Sequence, residues 1–172
     1  HELHKARVSN IIKEADIPRG SFYQYFEDLD DLYYHVIDGV FDSLFYEGRK
    51  HANITNDIFR FTELTFEVDL DRYLNDKRHR FIMNVMKSIG MNPEYLEIHN
   101  LKRKEYIVSV FEKMDLRNLR FNEEEDLIRL YEFLQNIKII VIRKSMMSKL
   151  SKEDSMNLLR WHLDMLKNGL IN

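Results

Sequence analysis

The chain has no cysteine, only two prolines and only five glycines in 172 residues. The lack of cysteine excludes disulfide bonds and thiolate metal sites, and it makes a cytoplasmic location the expected one. Few helix-breaking residues, beside 44% hydrophobic and 32% charged residues, favour long helices over a sheet with many turns. The sequence therefore predicts an all-α fold.

Long apolar runs and a strong net charge are also missing. No stretch approaches the roughly 20 apolar residues that span a bilayer, so no membrane partner is expected. The formal net charge of −3 argues against a surface that coats nucleic acid, yet it leaves room for a small DNA-binding face. Glycine-rich phosphate loops, nucleophile motifs and metal-ligand spacing are absent from the sequence. We therefore expect no catalytic residue, no metal and no cofactor.

The first 46 residues contain two short helical patterns and the start of a long one. Apolar residues at helical spacing end the first near Asp16, and Pro18 favours the start of the second, SFYQYF. Asp28 is the expected N-cap of the third helix, which extends to about Tyr46. Its predicted buried stripe consists of Leu32, Val36, Val40 and Leu44. Two short helices around a tight turn, followed by a long helix, is the arrangement of a helix-turn-helix.

Residues 47–172 are predicted to be further helices. The stretch 56–70 nearly alternates as a strand would, but its length and the lack of hairpin turn signals favour a helix. Another helix is expected to end at Ser88. The expected caps of the later helices are Asn92, Asn122 and Ser151. The apolar stripe of the helix that follows the second of these caps consists of Leu127, Leu130, Leu134, Ile137 and Val141.

The last predicted helix is apolar on two sides. One stripe consists of Met156, Leu159, Leu163 and Leu166. A terminal helix with two apolar faces needs two neighbours, and we expect one of them to be a second copy of the chain. The last two helices would then pair with their copies in a four-helix dimer interface. The predicted interface residues are Phe133, Ile137, Ile140, Leu158, Trp161 and Met165.

One stretch near the start carries a recognisable signature. Residues 8–32, VSNIIKEADIPRGSFYQYFEDLDDL, contain an isoleucine–alanine helix, a turn, an arginine–glycine pair followed by spaced aromatics, and an acidic helix start that ends in leucine. This stretch resembles the DNA-binding signature of the tetracycline-repressor (TetR) family of bacterial transcription regulators. The rest of the chain is similar to that family only in being helical and of suitable length.

The chain departs from the family pattern at three positions. Arg7 stands where the family usually has threonine, Asp16 where it has a glycine in the turn, and Leu29 where it often has lysine. Aspartate tolerates the left-handed backbone conformation better than most residues, so the turn is expected to be kept. The changes at Arg7 and Leu29 concern phosphate contacts, and we expect the arginine to compensate for the missing lysine.

The resemblance implies a dimeric regulator, and more specifically a ligand-responsive repressor, that binds a palindromic double-stranded DNA operator. Residues 1–46 would form the DNA-binding head with its connecting helix, and residues 47–172 the ligand-binding and dimerisation domain. Gly20 would give clearance to the DNA backbone, while Phe22 and Phe26 would anchor the reading helix. The implied DNA contacts are Arg7, Ser9, Arg19, Gly20, Ser21, Tyr23, Gln24 and Tyr25.

Aromatic and soft apolar residues on the middle helices predict where a small-molecule effector would bind. Such a lining favours an apolar or aromatic effector over a strongly charged one. The predicted effector contacts are Tyr73, Phe81, Met86, Tyr106, Phe111 and Tyr131. Core packing would use the same residues, so a filled core would favour the alternative, a DNA-binding or interaction module whose C-terminal domain only dimerises and takes no small molecule.

The TetR resemblance also implies a first helix that precedes the signature, whereas this chain has HELHKAR before Val8. We therefore expect the head to be N-terminally incomplete and to bind DNA poorly, with upstream residues restoring the binding. The apolar side chains of Ile11, Phe22 and Phe26 are expected to lose a packing partner.

Overall fold

The structure is a computed structural model that describes residues 7–75, 93–120 and 123–170. Within these residues the chain forms seven helices and no strand, which confirms the predicted all-α fold. None of the described helices is both long and apolar enough to cross a membrane. The helices are α1 (Val8–Glu14), α2 (Arg19–Tyr25), α3 (Leu29–Ala52), α4 (Ile58–Asn75), α5 (Pro93–Phe111), α6 (Glu124–Ser148) and α7 (Lys152–Leu170). The helix end predicted at Ser88 and the cap predicted at Asn92 lie outside the described residues.

A four-residue turn joins α1 to α2, and its direction depends on Asp16. This residue has a φ of 52°, the left-handed conformation that the family resemblance implies for it. The Ile17 backbone N–H donates to the Ile12 carbonyl at 3.0 Å across the turn. Pro18 then precedes α2 in an extended conformation, with φ −62° and ψ 144°. Helices α1 and α2 pack against each other as a result.

Helix α3 begins at its predicted cap. The Asp28 carboxylate accepts a hydrogen bond from the Asp31 backbone N–H at 2.9 Å, and the Asp31 carboxylate accepts one from the Glu27 N–H at 3.0 Å. The reciprocal pair satisfies backbone donors at a helix start, where intrahelical partners are lacking. The helix then continues past Tyr46 to Ala52, so the predicted boundary at residue 46 falls within one continuous helix.

The buried stripe of α3 differs from the predicted one. The buried residues of this helix are Tyr33, Ile37, Gly48 and Ala52. Of the predicted residues, Leu32, Val40 and Leu44 are half-buried and Val36 is exposed. A shift of one residue rotates the buried line by about 100° around the helix. The prediction counted aliphatic side chains, whereas tyrosine and glycine provide part of the real contact surface.

One hydrophobic core is built mainly from α4, α5, α6 and α7. The helix predicted over 56–70 is present as α4, and the predicted stripe of α6 is buried in full. From α7 the core receives Met156, Leu159 and Leu163. Burial of each large apolar side chain stabilises a fold by about 1.5–3 kcal/mol, so most of the stability resides in these four helices. Phe22, Tyr33 and Ile37 are buried outside this core.

The starts of α6 and α7 are capped differently. The N-cap of α6 in the described residues is Glu123, whose side chain makes no capping hydrogen bond, and the predicted cap Asn122 lies outside the described residues. At α7 the prediction is correct, because the Ser151 hydroxyl accepts from the Asp154 N–H at 3.0 Å and donates to its carboxylate at 2.7 Å.

A lysine is buried between α4 and α6. Lys138 is 4% exposed, and its ammonium donates to the Asp69 carboxylate at 2.5 Å and to the Thr65 hydroxyl at 3.1 Å. Removing two charges from water is costly, and only such close pairing offsets the cost. The contact fixes the position of α6 along α4.

Candidate nucleic-acid interface

Helix α2 exposes a polar and aromatic surface. Tyr25 is 77% exposed, and Arg19, Tyr23 and Gln24 are exposed as well. Arg19 and Tyr23 lie four residues apart on one face, with the guanidinium carbon 5.8 Å from the centre of the tyrosine ring. This distance is within the range of a cation–π interaction, which orients the arginine without neutralising it. The helix therefore presents one cation, two phenols and one amide to its surroundings.

Phe22 anchors α2 to the neighbouring helices. It is 2% exposed, and its ring centre lies 5.5 Å from that of Phe26 and 5.2 Å from that of Tyr23. The Phe26 ring in turn contacts the His35 ring of α3 at 5.5 Å. Phe22 is thus buried in contact with aromatic neighbours, although the family resemblance implied the loss of a packing partner there. Ile11 and Phe26 are half-buried.

Gly20 has no neighbour that explains it. A Cβ atom at this position would meet nothing within 4 Å, and no described glycine has a positive φ. Alanine would favour the helix by about 0.5–1 kcal/mol, so the glycine costs stability without a visible benefit to the described fold. Close approach of a second molecule is the explanation that the family resemblance offers.

The predicted DNA contacts lie on two short helices. Six of them lie on α2, and all of these are exposed except Ser21, which is half-buried. Arg7 and Ser9 are exposed at the start of α1, where the Arg7 side chain makes no capping bond. The structure thus places most of the predicted DNA contacts on α2 and the remaining two, Arg7 and Ser9, at the start of α1.

The charge around α2 is mixed. Residues 7–46 carry three cationic side chains, Arg7, Lys13 and Arg19, and eight acidic ones. Asp28 and Asp31 are engaged in the cap of α3. Long-range attraction to a polyanion is therefore weak, and a phosphate contact here would have to be short-range.

Tyr106 occupies a close contact between α5 and α3. Its ring stacks on Phe45 with the centres 4.4 Å apart and the planes 15° apart. A Cβ atom on Gly48 would lie 1.9 Å from the Tyr106 hydroxyl oxygen, so only glycine fits there. The Arg49 guanidinium carbon lies 5.4 Å from the centre of the same ring. Sequence reasoning missed Gly48, although a glycine inside a long helix was the available signal.

Three predicted effector contacts are core residues. Tyr106, Phe111 and Tyr131 are buried, and the two tyrosine rings meet edge-on with centres 5.9 Å apart. Burial raises the pKa of Tyr106 to about 12 and raises the pKa of Tyr131 well above its usual value, so both phenols are neutral at physiological pH. Tyr73 is half-buried against the core. Phe81 and Met86 lie outside the described residues.

Helices α6 and α7 expose apolar side chains in the single chain. Trp161 is 59% exposed, and Phe133, Ile140 and Met165 are exposed as well. Leu158 is half-buried. Ile137 is 6% exposed and belongs to the core of its own chain, so it is removed from the predicted dimer interface. Ile137 also belongs to the predicted buried stripe of α6, and the structure agrees with that assignment.

Comparisons with known proteins do not assign the chain to a family. No protein-family model matches it, and no curated protein is similar to it in sequence. The likeness to TetR regulators therefore depends on residues 8–32, and what that likeness implies about function is a proposal that the geometry of α2 has to support.

Proposed function

We propose that the chain is a DNA-binding transcription regulator of the TetR type, and more specifically a repressor that binds a palindromic operator as a homodimer. The observation that carries the proposal is the surface of α2, where a polar and aromatic face projects from a helix anchored by the buried Phe22. An unexplained glycine lies on the same helix.

In this proposal α2 enters the major groove of the operator. Arg19 pairs with a phosphate or with the acceptor edge of guanine, and Gln24 pairs with the edge of adenine. The hydroxyls of Tyr23 and Tyr25 donate to phosphates and fix the register of the helix. Gly20, which has no side chain, lets the sugar–phosphate backbone approach. With few cations nearby, the affinity depends only modestly on salt concentration.

Helix α3 is the proposed connection between DNA binding and the C-terminal helices. It runs unbroken from its Asp28 cap to Ala52 and contacts α4 and α5. In a dimer, a tilt of α3 changes the separation of the two reading helices. Two half-sites must lie one helical turn of DNA or a multiple apart, so a change of a few ångströms prevents simultaneous binding.

The test is binding of the protein, expressed from its complete gene, to duplex DNA selected from a random pool. Tyr23→Ala and Gly20→Leu should abolish sequence-specific binding and leave helical content unchanged, because both positions face solvent. Tyr46→Ala and Gly39→Leu are the matched controls, since Tyr46 is an exposed tyrosine of α3 and Gly39 also has no neighbour within 4 Å. The proposal is contradicted if the wild-type protein enriches no sequence, or if Tyr23→Ala binds as tightly as Tyr46→Ala.

The second candidate is a DNA-binding or interaction module whose C-terminal helices only dimerise. It is favoured by the packing of Tyr106 and Tyr131, which contact each other in the core where an effector was predicted. Operator affinity that no small molecule changes, in a protein that remains dimeric, would support this candidate over the ligand-responsive one.

A further inference from the structure

A cavity of about 270 Å³ opens between α5 and the start of α6. Its apolar lining consists of Ile107, Val108, Phe111, Leu116, Leu127 and Ile128. Three of these residues are buried members of the core, and the other three are half-buried and border the opening. A pocket with a buried apolar base and an open side is suited to a small molecule with an apolar body.

The charge at this cavity is negative. Glu112 and Glu124 complete the described lining. The Glu124 carboxylate is paired with the Lys104 ammonium at 2.7 Å. Glu112 is exposed and forms no ion pair with any of the residues that the structure describes. A carboxylate beside an apolar surface favours a ligand that carries a positive charge.

A neighbouring depression along α5 is also lined by glutamate side chains. It shares Val108 and Glu112 with the cavity and adds Glu105, while its lysine is the one already paired with Glu124. Among the residues that line the depression the glutamates outnumber the lysine, and the Arg49 guanidinium also donates to its Ser109 hydroxyl at 3.2 Å.

We propose that the α5–α6 cavity binds a small organic cation with an apolar or aromatic body. The body packs on Phe111 and Leu127, and the ammonium group lies beside Glu112. The volume is close to the lower end of the range of about 300–1,000 Å³ for small-molecule sites, which suits a compound with a single ring. A basic peptide segment would fit this site less well than a small molecule. The apolar surface extends over only short parts of α5 and α6 and would leave most of a peptide without contacts.

A ligand in the cavity could change the position of α3 through the contact that Tyr106 makes with this helix. Ile107 lines the cavity, and the preceding residue, Tyr106, holds α5 against Gly48 of α3. A ligand that displaces this part of α5 also displaces the contact that positions α3. The role of the cation as an effector rests on the proposed function, whereas its binding does not.

The experiment titrates the complete protein, without DNA, with three probes that share a phenyl ring: 2-phenylethylammonium, 2-phenylethanol and 3-phenylpropionate. Calorimetry or ligand-observed NMR should give the highest affinity for the cation and the lowest for the carboxylate, with a span of roughly tenfold. Glu112→Gln should lower the affinity for the cation by about threefold to fivefold and leave that for the alcohol unchanged.

Glu97→Gln is the matched control, because Glu97 is an exposed glutamate of α5 that lines neither the cavity nor the neighbouring depression. It should bind the cation as the wild-type protein does, and both variants should melt at the wild-type temperature. Equal affinities for the three probes, unchanged cation affinity in Glu112→Gln, or no saturable binding of any probe would overturn the proposal. Because the readout contains no DNA, its failure is distinguishable from failure of the proposed function.

Discussion

Two glycines of α3 have different surroundings. Gly48 faces the Tyr106 hydroxyl, whereas a Cβ atom on Gly39 would meet nothing within 4 Å. Gly48→Ala should therefore lower the free energy of unfolding by about 1–3 kcal/mol, because the methyl group forces the α3–α5 contact apart. Gly39→Ala should raise it by up to about 1 kcal/mol through helix propensity. Urea denaturation followed by circular dichroism measures both values. If the two variants had the same stability, the close packing of Tyr106 on α3 would be wrong.

At the scale of single residues, the sequence predicts features that are determined by neighbouring residues in the chain. The left-handed Asp16 and the capping side chain of Asp28 follow from their own short segments. The burial of Lys138 and the space that Gly48 leaves for Tyr106 depend on which helix lies opposite. Periodicity along one helix contains no information about that partner, so neither the burial of Lys138 nor the identity of the side chain that faces Gly48 was predictable.

Among the helices, α6 and α7 begin in physically different ways. Ser151 caps α7 through its hydroxyl, whereas the Glu123 side chain makes no capping bond to α6. Ser151→Ala should therefore lower the free energy of unfolding by about 1 kcal/mol, the usual value of a lost cap. Glu123→Ala should lower it by less, because only a weak interaction with the helix dipole is removed. Thermal denaturation of the two variants checks the difference, and a larger loss for Glu123→Ala would refute this assignment of caps.

The helical elements were predictable to differing degrees. Helix α6 has a regular aliphatic stripe, and that stripe is the buried one. In α3 the contact surface includes Tyr33 and Gly48, which an aliphatic pattern does not count, and the predicted line was rotated. The effector contacts predicted from aromatic residues included Tyr106 and Tyr131, which are core residues. Aromatic side chains serve packing and binding equally, so sequence alone did not separate the two roles.

At the scale of the whole molecule, the exposed apolar surface of α6 and α7 predicts a homodimer. Trp161 and Ile140 are exposed in the single chain, and their burial would stabilise an assembly. Ile140→Glu should shift the protein to the monomer in sedimentation at micromolar concentration, and the emission of Trp161 should move to longer wavelength. Ile54→Glu changes an exposed isoleucine beyond the end of α3 and should leave the assembly unchanged. A wild-type protein that sediments as a monomer would remove the basis of this prediction.

The fold class and the proposed function draw on different parts of the sequence. The all-α class followed from composition and periodicity spread over the entire chain, and the structure agrees. The functional proposal comes from residues 8–32 and the exposed surface of α2. Which helices contact one another was not predictable, because helical periodicity specifies a buried face without specifying its partner.

The most direct test of DNA contact by α2 is site-specific photo-crosslinking to the selected duplex. A benzophenone amino acid replaces Tyr25, an exposed residue of α2, or Tyr46, an exposed residue about 25 Å along α3 from the start of that helix. We predict crosslinks to bases or sugars within the protected site from position 25 and none from position 46. Crosslinking from position 46 alone, or from neither position while the DNA is bound, would show that α2 is not the element that contacts DNA.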